Sequence, residues 1–409
     1  MDYPIRPMSP GELLPFFSAN SSAFGWDFRP ERFAHELWPD IREYERSTSV
    51  WDGDQVVGTA GIWTFETAVP GGLLPTAGVT WVSVRPTHRR KGILTAMMRS
   101  QLDAVHERGE PLATLWASES VIYGRFGYGN AATGVEMTIN PKRASFTQPG
   151  SYRGRTRFVD REAALRDWPA VYDRARVTQP GMHSRHANWW EARNFNISDN
   201  RAPAGFTRHS LVQYEEDGNI LGYVMYRTKE HDTLGVPDGT IRVTELMAET
   251  DAAYSALWEF ILGIDLIETV EAPFRRVDEP LAWMLADPRQ LHRQLLDSLW
   301  VRLVDVPAAL AGRRYLSDGS LVINVVDQFC PWNAGSYLLE GGPGGATCSL
   351  TTRTPDITLN ANGLGAVFLG GVRFETLAHA NRVEGSAEAI RLADRMFQWD
   401  RLPWEPEVF

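Results

Sequence analysis

The stretch Val82-Ser83-Val84-Arg85-Pro86-Thr87-His88-Arg89-Arg90-Lys91-Gly92-Ile93-Leu94 constrains the fold more than any other part of the chain. Residues 76–84 form a β-rich run and predict a strand. From Gly92 onward, Ile93, Leu94, Ala96, Met97, Met98, Leu102 and Val105 recur at helical spacing. Residues 112–117 then predict a second strand. A β–α–β step therefore carries a short basic loop between its first strand and its helix. A helix start presents free N–H groups and a partial positive charge to an anion. Gly92 lets backbone approach without a Cβ, and the basic side chains between Arg85 and Lys91 add charge-assisted bonds. Together these suit a pyrophosphate. The competing reading is a solvated basic turn between two core elements. A Walker loop and a Rossmann glycine fingerprint do not match.

The step repeats. Residues 241–248 predict a strand, and Asp251 opens a helix through Ala253, Leu257, Phe260, Ile261 and Leu262. Leu246-Met247-Ala248-Glu249-Thr250-Asp251 replaces the basic loop, which reads as a duplicated domain that kept the fold and lost the phosphate site. A hairpin is expected at 51–63, a linker at 148–154, a helix at 163–175 and a strand at 221–227. Beyond Leu296, strands are expected at 300–306, 320–326 and 357–359, a hairpin at 338–350, and helices at 364–369 and 387–397. Pro403 and Pro406 hold the last eight residues extended. The 409 residues thus divide into three expected domains, 1–150, 151–294 and 295–409.

Lys plus Arg number 41 against 51 Asp plus Glu, a net charge of −10. Such a chain repels phosphate backbones, so no nucleic-acid partner is expected, and its field favours cationic molecules such as amines. Cys330 and Cys348 have no metal spacing and read as free thiols in a reducing cytosol; no metal is expected. No signal peptide and no apolar run of about 20 residues is seen, so a cytoplasmic protein without a membrane partner is expected.

A second phrase, Trp116-Ala117-Ser118-Glu119-Ser120-Val121-Ile122-Tyr123-Gly124-Arg125-Phe126-Gly127-Tyr128-Gly129, follows the second strand of the first step. Tyr123 and Tyr128 are its candidates for a general acid, and either also fits a packed aromatic. The first phrase resembles the acetyl-CoA loop of GNAT acetyltransferases, R/Q-x-x-G-x-G/A, here Arg89-x-x-Gly92-x-Leu94, with Leu94 departing from the usual small residue. The two phrases together resemble the enhanced intracellular survival (Eis) family of GNAT N-acetyltransferases, and the resemblance runs through the whole chain.

The resemblance implies an α+β fold, with tandem GNAT domains, the second degenerate, followed by a sterol-carrier-protein-like domain. It implies acetyl-CoA as co-substrate, bound by Val82, Ser83, Val84, Arg89, Arg90, Gly92, Ile93, Leu94 and Ser118. Tyr123 would be the general acid and the main-chain carboxylate of Phe409 the base. The backbone of residues 82–84 would pair with the pantetheine amides. A hexamer is implied as well. The acceptor would be a primary amine on an aminoglycoside, a polyamine or a lysine-like side chain, attacking directly in a ternary complex. Trp26, Asp27, Phe28, Trp38 and Trp116 are the candidates for its pocket, with Trp63, Phe65 and Glu66 beside them. Trp116 and Val408 stand where the best-known members carry a histidine and an acid. The rival expectation is a non-catalytic acyl-CoA- or lipid-binding protein.

Overall fold

The structure is a computed structural model that describes residues 3–33, 41–148, 150, 152–198 and 202–409. Its first sheet contains β1 (Ile5–Pro7), β2 (Thr48–Asp52), β3 (Gln55–Val69), β4 (Gly72–Val84), β5 (Leu112–Trp116) and β6 (Gly129–Asn130). β3 and β4 form a long antiparallel hairpin, buried along most of its length. Helix α1 (Leu13–Phe24) packs on this hairpin, and α2 (Ile93–Glu107) links β4 to β5. The helix from Ile93 has its expected apolar stripe, with Ile93, Met97, Met98, Leu102 and Val105 all buried.

The next strand, β7 (Thr133–Ile139), belongs to a second sheet. It is joined there by β8 (Arg155–Phe158), β9 (Ser210–Glu216) and β10 (Asn219–Lys229), then, after the small hairpin β11 (Asp232–Thr233) and β12 (Val236–Pro237), by β13 (Gly239–Ala248), β14 (Ile267–Arg276) and β15 (His292–Asp297). Helix α3 (Arg161–Arg176) lies on this sheet. Helix α4 (Asp251–Leu262), capped by the Thr250 side chain, links β13 to β14 as α2 links β4 to β5. The next strand, β16 (Leu299–Leu303), returns to the first sheet and lies between β5 and β6. Strands therefore cross both of the expected boundaries, β7 forward past residue 150 and β16 back past residue 294.

The remaining sheet has the order β19–β18–β17–β20–β21, with β17 (Gly319–Val326), β18 (Gly335–Gly342), β19 (Gly345–Leu350), β20 (Ile357–Asn360) and β21 (Val383–Gly385). Helices α5 (Ala361–Val367), α6 (Phe374–His379) and α7 (Ala387–Phe397) pack with it. Leu321, Ile323, Leu339, Leu359, Leu364, Phe368, Phe374 and Phe397 fill this core from within. Arg302 on β16 and Asp327 after β17 form a fully buried ion pair that fastens this sheet to the first one. Among the described residues, no helix is long and apolar enough to cross a membrane.

Candidate active site

β4 and β5 pair in parallel only at 76–78 with 112–114, and then separate. A bulge sets the split. Trp81 takes φ 50, and the register between β3 and β4 slips there. The Trp81 carbonyl accepts hydrogen bonds from Thr59 Oγ1 at 2.7 Å and Asn20 Nδ2 at 3.3 Å, and Ser83 Oγ lies 2.7 Å from Thr59 Oγ1. Past the split, one edge of β4 faces open space instead of a neighbouring strand.

That space is a cleft of about 570 Å³. Val82, Ser83, Val84, Arg89, Arg90, Gly92, Ile93, Leu94, Ser118 and Tyr123 all line it, so the structure brings together every residue expected to touch the co-substrate, and Tyr123 with them. The first main-chain bond of α2 runs from Ala96 N to Gly92 O, so the N–H groups of Ile93, Leu94 and Thr95 have no partner within the helix. Gly92 caps the helix at φ 82, and a Cβ there would meet nothing. Backbone conformation, rather than a crowded approach, is what calls for glycine at this position. Leu94 lines the cleft and is partly buried against the core cluster that includes Met98. Sequence reasoning missed Ala23 and Phe24 at the end of α1, together with His88, Ile122 and Arg125. Arg125 sits inside the second phrase; nothing in the sequence flagged Ala23 or Phe24.

Position separates the two tyrosines. Tyr123 is 5% exposed and lines the cleft. Burial pushes its hydroxyl pKa up, with the Ser118 hydroxyl opposing, so it carries a proton at neutral pH. Tyr128 is fully buried and is not among the residues that line this cleft.

On the other face of the split lies the tail. Gly78 is the last β4 residue paired with β5, and a Cβ there would strike the Phe65 ring and approach the Phe409 ring at 3.2 Å. Phe409 packs edge-on against Phe65 at 5.2 Å and His183 at 5.0 Å. Ala77 and Val79 point to the face that holds Tyr123, and Gly78 to the face that holds Phe409. The tail arrives by a fixed route. Trp404 N donates to Pro180 O at 2.8 Å, and Glu407 pairs with Arg185 at 2.9 Å and Arg193 at 3.4 Å.

Phe28, Trp63 and Phe65 share one aromatic cluster with Phe409. Trp116 lies at the end of β5, 5.2 Å from the Phe274 ring of the second sheet. Trp26 is 58% exposed and stacks on Phe24, and Asp27 pairs with Arg29 at 2.6 Å, so neither joins that cluster. Trp38 lies outside the described residues. Glu66 is held by Arg176 at 3.1 Å.

The second sheet has the same split, closed. β13 and β14 pair at 239–242 with 267–271 and then diverge. Arg275 bridges the gap by donating to Leu246 O at 3.1 Å, and it packs beneath Trp404, whose Nε1 donates to Phe274 O at 2.6 Å. Loss of the basic loop thus accompanies a plugged groove.

Two acetyltransferase (GNAT) domain families match residues 4–131 and 181–303, and a sterol carrier protein domain family matches 306–406. An uncharacterised N-acetyltransferase of Streptomyces avermitilis is 41% identical over 377 residues, 91% of this chain and 92% of that one. The N-acetyltransferase Eis of Mycobacterium bovis is 35% identical over 360 residues, 85% of this chain and 84% of the other. The crystal structure of Eis1 from Mycobacterium abscessus superposes with a TM-score of 0.85 at 33% identity, over 99% of this chain and 100% of that one. Two tandem GNAT domains are followed by a sterol-carrier-like domain, and the chain belongs to the Eis family of acetyl-CoA-dependent GNAT N-acetyltransferases.

Proposed function

We propose that this enzyme moves the acetyl group of acetyl-CoA to a primary amine by direct attack in a ternary complex. One observation carries the reading: the cleft with Tyr123 and the seat of Phe409 flank β4 from opposite faces at the point where β4 and β5 part. Arg89, Arg90 and the free N–H groups of Ile93, Leu94 and Thr95 suit the pyrophosphate. The open edge of β4 suits the pantetheine amides and presents N–H groups to the oxygen that becomes negative. The Phe409 carboxylate takes a proton from the ammonium through water, and the neutral nitrogen attacks the thioester carbon. The C–S bond then breaks, Tyr123 gives its proton to the departing thiolate, and the second proton of the attacking nitrogen passes through water to the tyrosinate. Neither Cys330 nor Cys348 lines the cleft, and burial raises both thiol pKa values, which speaks against an acetyl-cysteine intermediate.

For the acceptor, the aromatic cluster around Phe409 suits an ammonium held over ring faces. The carboxylates nearest the tail are already committed: Glu405 to His183, Glu407 to Arg185 and Arg193, Glu66 to Arg176. A polycation such as an aminoglycoside or polyamine would have to break these pairs to use them. An acceptor with one ammonium on an apolar stem, lysine-like in form, fits without doing so.

Thiol release from acetyl-CoA across a panel of amines tests the reading, and the absence of amine-dependent release would overturn it. Tyr123→Phe should lower kcat about 100-fold and leave acetyl-CoA affinity unchanged; an unchanged kcat removes the general-acid role. Arg89→Ala should raise the dissociation constant of acetyl-CoA about tenfold, as expected for one lost charge-assisted bond. Direct binding by calorimetry reads this out, and equal affinity would place the phosphates elsewhere.

A further inference from the structure

We propose that His183, clamped by Glu405 and braced on Thr114, is the positioning residue that seats Phe409 at the root of the split; the proposal rests on the acetyl-transfer reading above. The three groups come from distant parts of the chain and are all buried, Thr114 at 0%, His183 at 4% and Glu405 at 2% exposure. His183 Nδ1 lies 2.5 Å from Glu405 Oε2, and Nε2 lies 2.9 Å from Thr114 Oγ1. Glu405 Oε2 also accepts from the His183 main-chain N–H at 3.0 Å, and Oε1 accepts from Glu407 N at 2.9 Å.

This arrangement fixes the imidazole. A carboxylate only accepts, so Nδ1 is the nitrogen that carries hydrogen, and in the neutral ring Nε2 accepts from the Thr114 hydroxyl. Both nitrogens are occupied, which leaves no lone pair for an arriving amine. His183 therefore acts through another group. Its main chain is held too, bridged to Thr67 of β3 and accepting at its carbonyl from the Tyr172 hydroxyl at 2.9 Å.

What the ring holds is the tail. It stands 4.7 Å from the Phe65 ring and 5.0 Å from the Phe409 ring. Thr114 is the β5 partner of Gly78, the residue whose missing Cβ makes room for Phe65 and Phe409. The chain Glu405–His183–Thr114 thus ties the tail directly to the last paired rung before the split. A buried polar chain fixes one arrangement, because each unmade bond in it is costly. An apolar trio of similar volume would fill this space without setting the height of Phe409 against β4.

The experiment compares the 409-residue protein with His183→Ala and Glu405→Gln, each with and without Phe409. Each substitution should lower kcat for amine acetylation about 100-fold, as displacement of a reacting group by an ångström does, with the KM for acetyl-CoA unchanged. In the chain lacking Phe409, the same substitutions should cost nothing more, because the group they position is gone. Losses that multiply would overturn the proposal. A second readout needs no acetyl transfer: carboxypeptidase A should release Phe409 about tenfold faster from either variant, the equivalent of one lost buried hydrogen bond. Release at the native rate from both also overturns the proposal. If the native protein acetylates no amine, the functional reading fails by itself, and the release rates still decide the seating. Should His183→Ala fail to fold, Glu405→Gln, which keeps the volume of the side chain, carries the test.

Discussion

Removal of Phe409 should lower kcat for amine acetylation at least about 100-fold, the low end of what a positioned base contributes. Acetyl-CoA affinity should stay at its native value, because the residues that line the 570 Å³ cleft approach β4 from the opposite face. The new terminus at Val408 does not replace the lost one. Arg193 donates to the Val408 carbonyl, and Val408 lines a separate cavity that Phe274 and Thr244 of the second sheet also line. Steady-state kinetics with one good acceptor, paired with calorimetry on acetyl-CoA, separates the two effects. A truncated chain that keeps native kcat would remove Phe409 from the mechanism. A chain that loses acetyl-CoA binding as well would assign the tail to the fold of the cleft instead.

The largest effect on stability should come from Asp327→Ala, at about 3–5 kcal/mol, the usual cost of stripping one partner from a buried ion pair. Arg302 would keep its charge with no carboxylate, in a place where its side chain is fully enclosed. Cys330 N, 2.9 Å from Asp327 Oδ1, would lose its acceptor in the same step. Replacing both members together, Arg302→Met with Asp327→Leu, should be far milder, since no lone charge remains. Urea unfolding of the single and double variants makes the comparison. Equal losses in the two would show that the site matters for its packing rather than its charge.

The lining of the cleft beside β4 was legible because it is local. The strand end, the basic loop and the helix start occupy 13 consecutive positions, and each has its own chemical signature. Spacing did not separate Tyr123 from Tyr128; position did, since Tyr123 lines the cleft and the fully buried Tyr128 does not. The surroundings of Phe409 are assembled from Phe65, Gly78, Thr114 and His183, and no pattern links positions so far apart. His183 sits in Gly181-Met182-His183-Ser184-Arg185 with nothing to mark it. Trp26 and Asp27 looked like pocket residues because aromatics and an acid cluster there. The left-handed turn at Gly25 that ends α1 leaves both exposed instead. Helix α1 was not anticipated from the sequence; its Pro15 lies in the first turn, where proline breaks no helical bond.

The return of β16 to the first sheet sets the order in which the molecule can be finished. β5 and β6 each pair with β16, so the sheet that carries the cleft has a gap until residues 299–303 arrive. On a ribosome this is about 170 residues after β6 has emerged, a delay on the order of ten to thirty seconds at ordinary elongation rates. For that interval one edge of β5 has its main-chain N–H and C=O groups unpaired, the kind of edge that pairs with other chains. The first GNAT domain leads the sequence and is among the last parts to close, so its vulnerability to misassembly during synthesis is set by the domain that follows it.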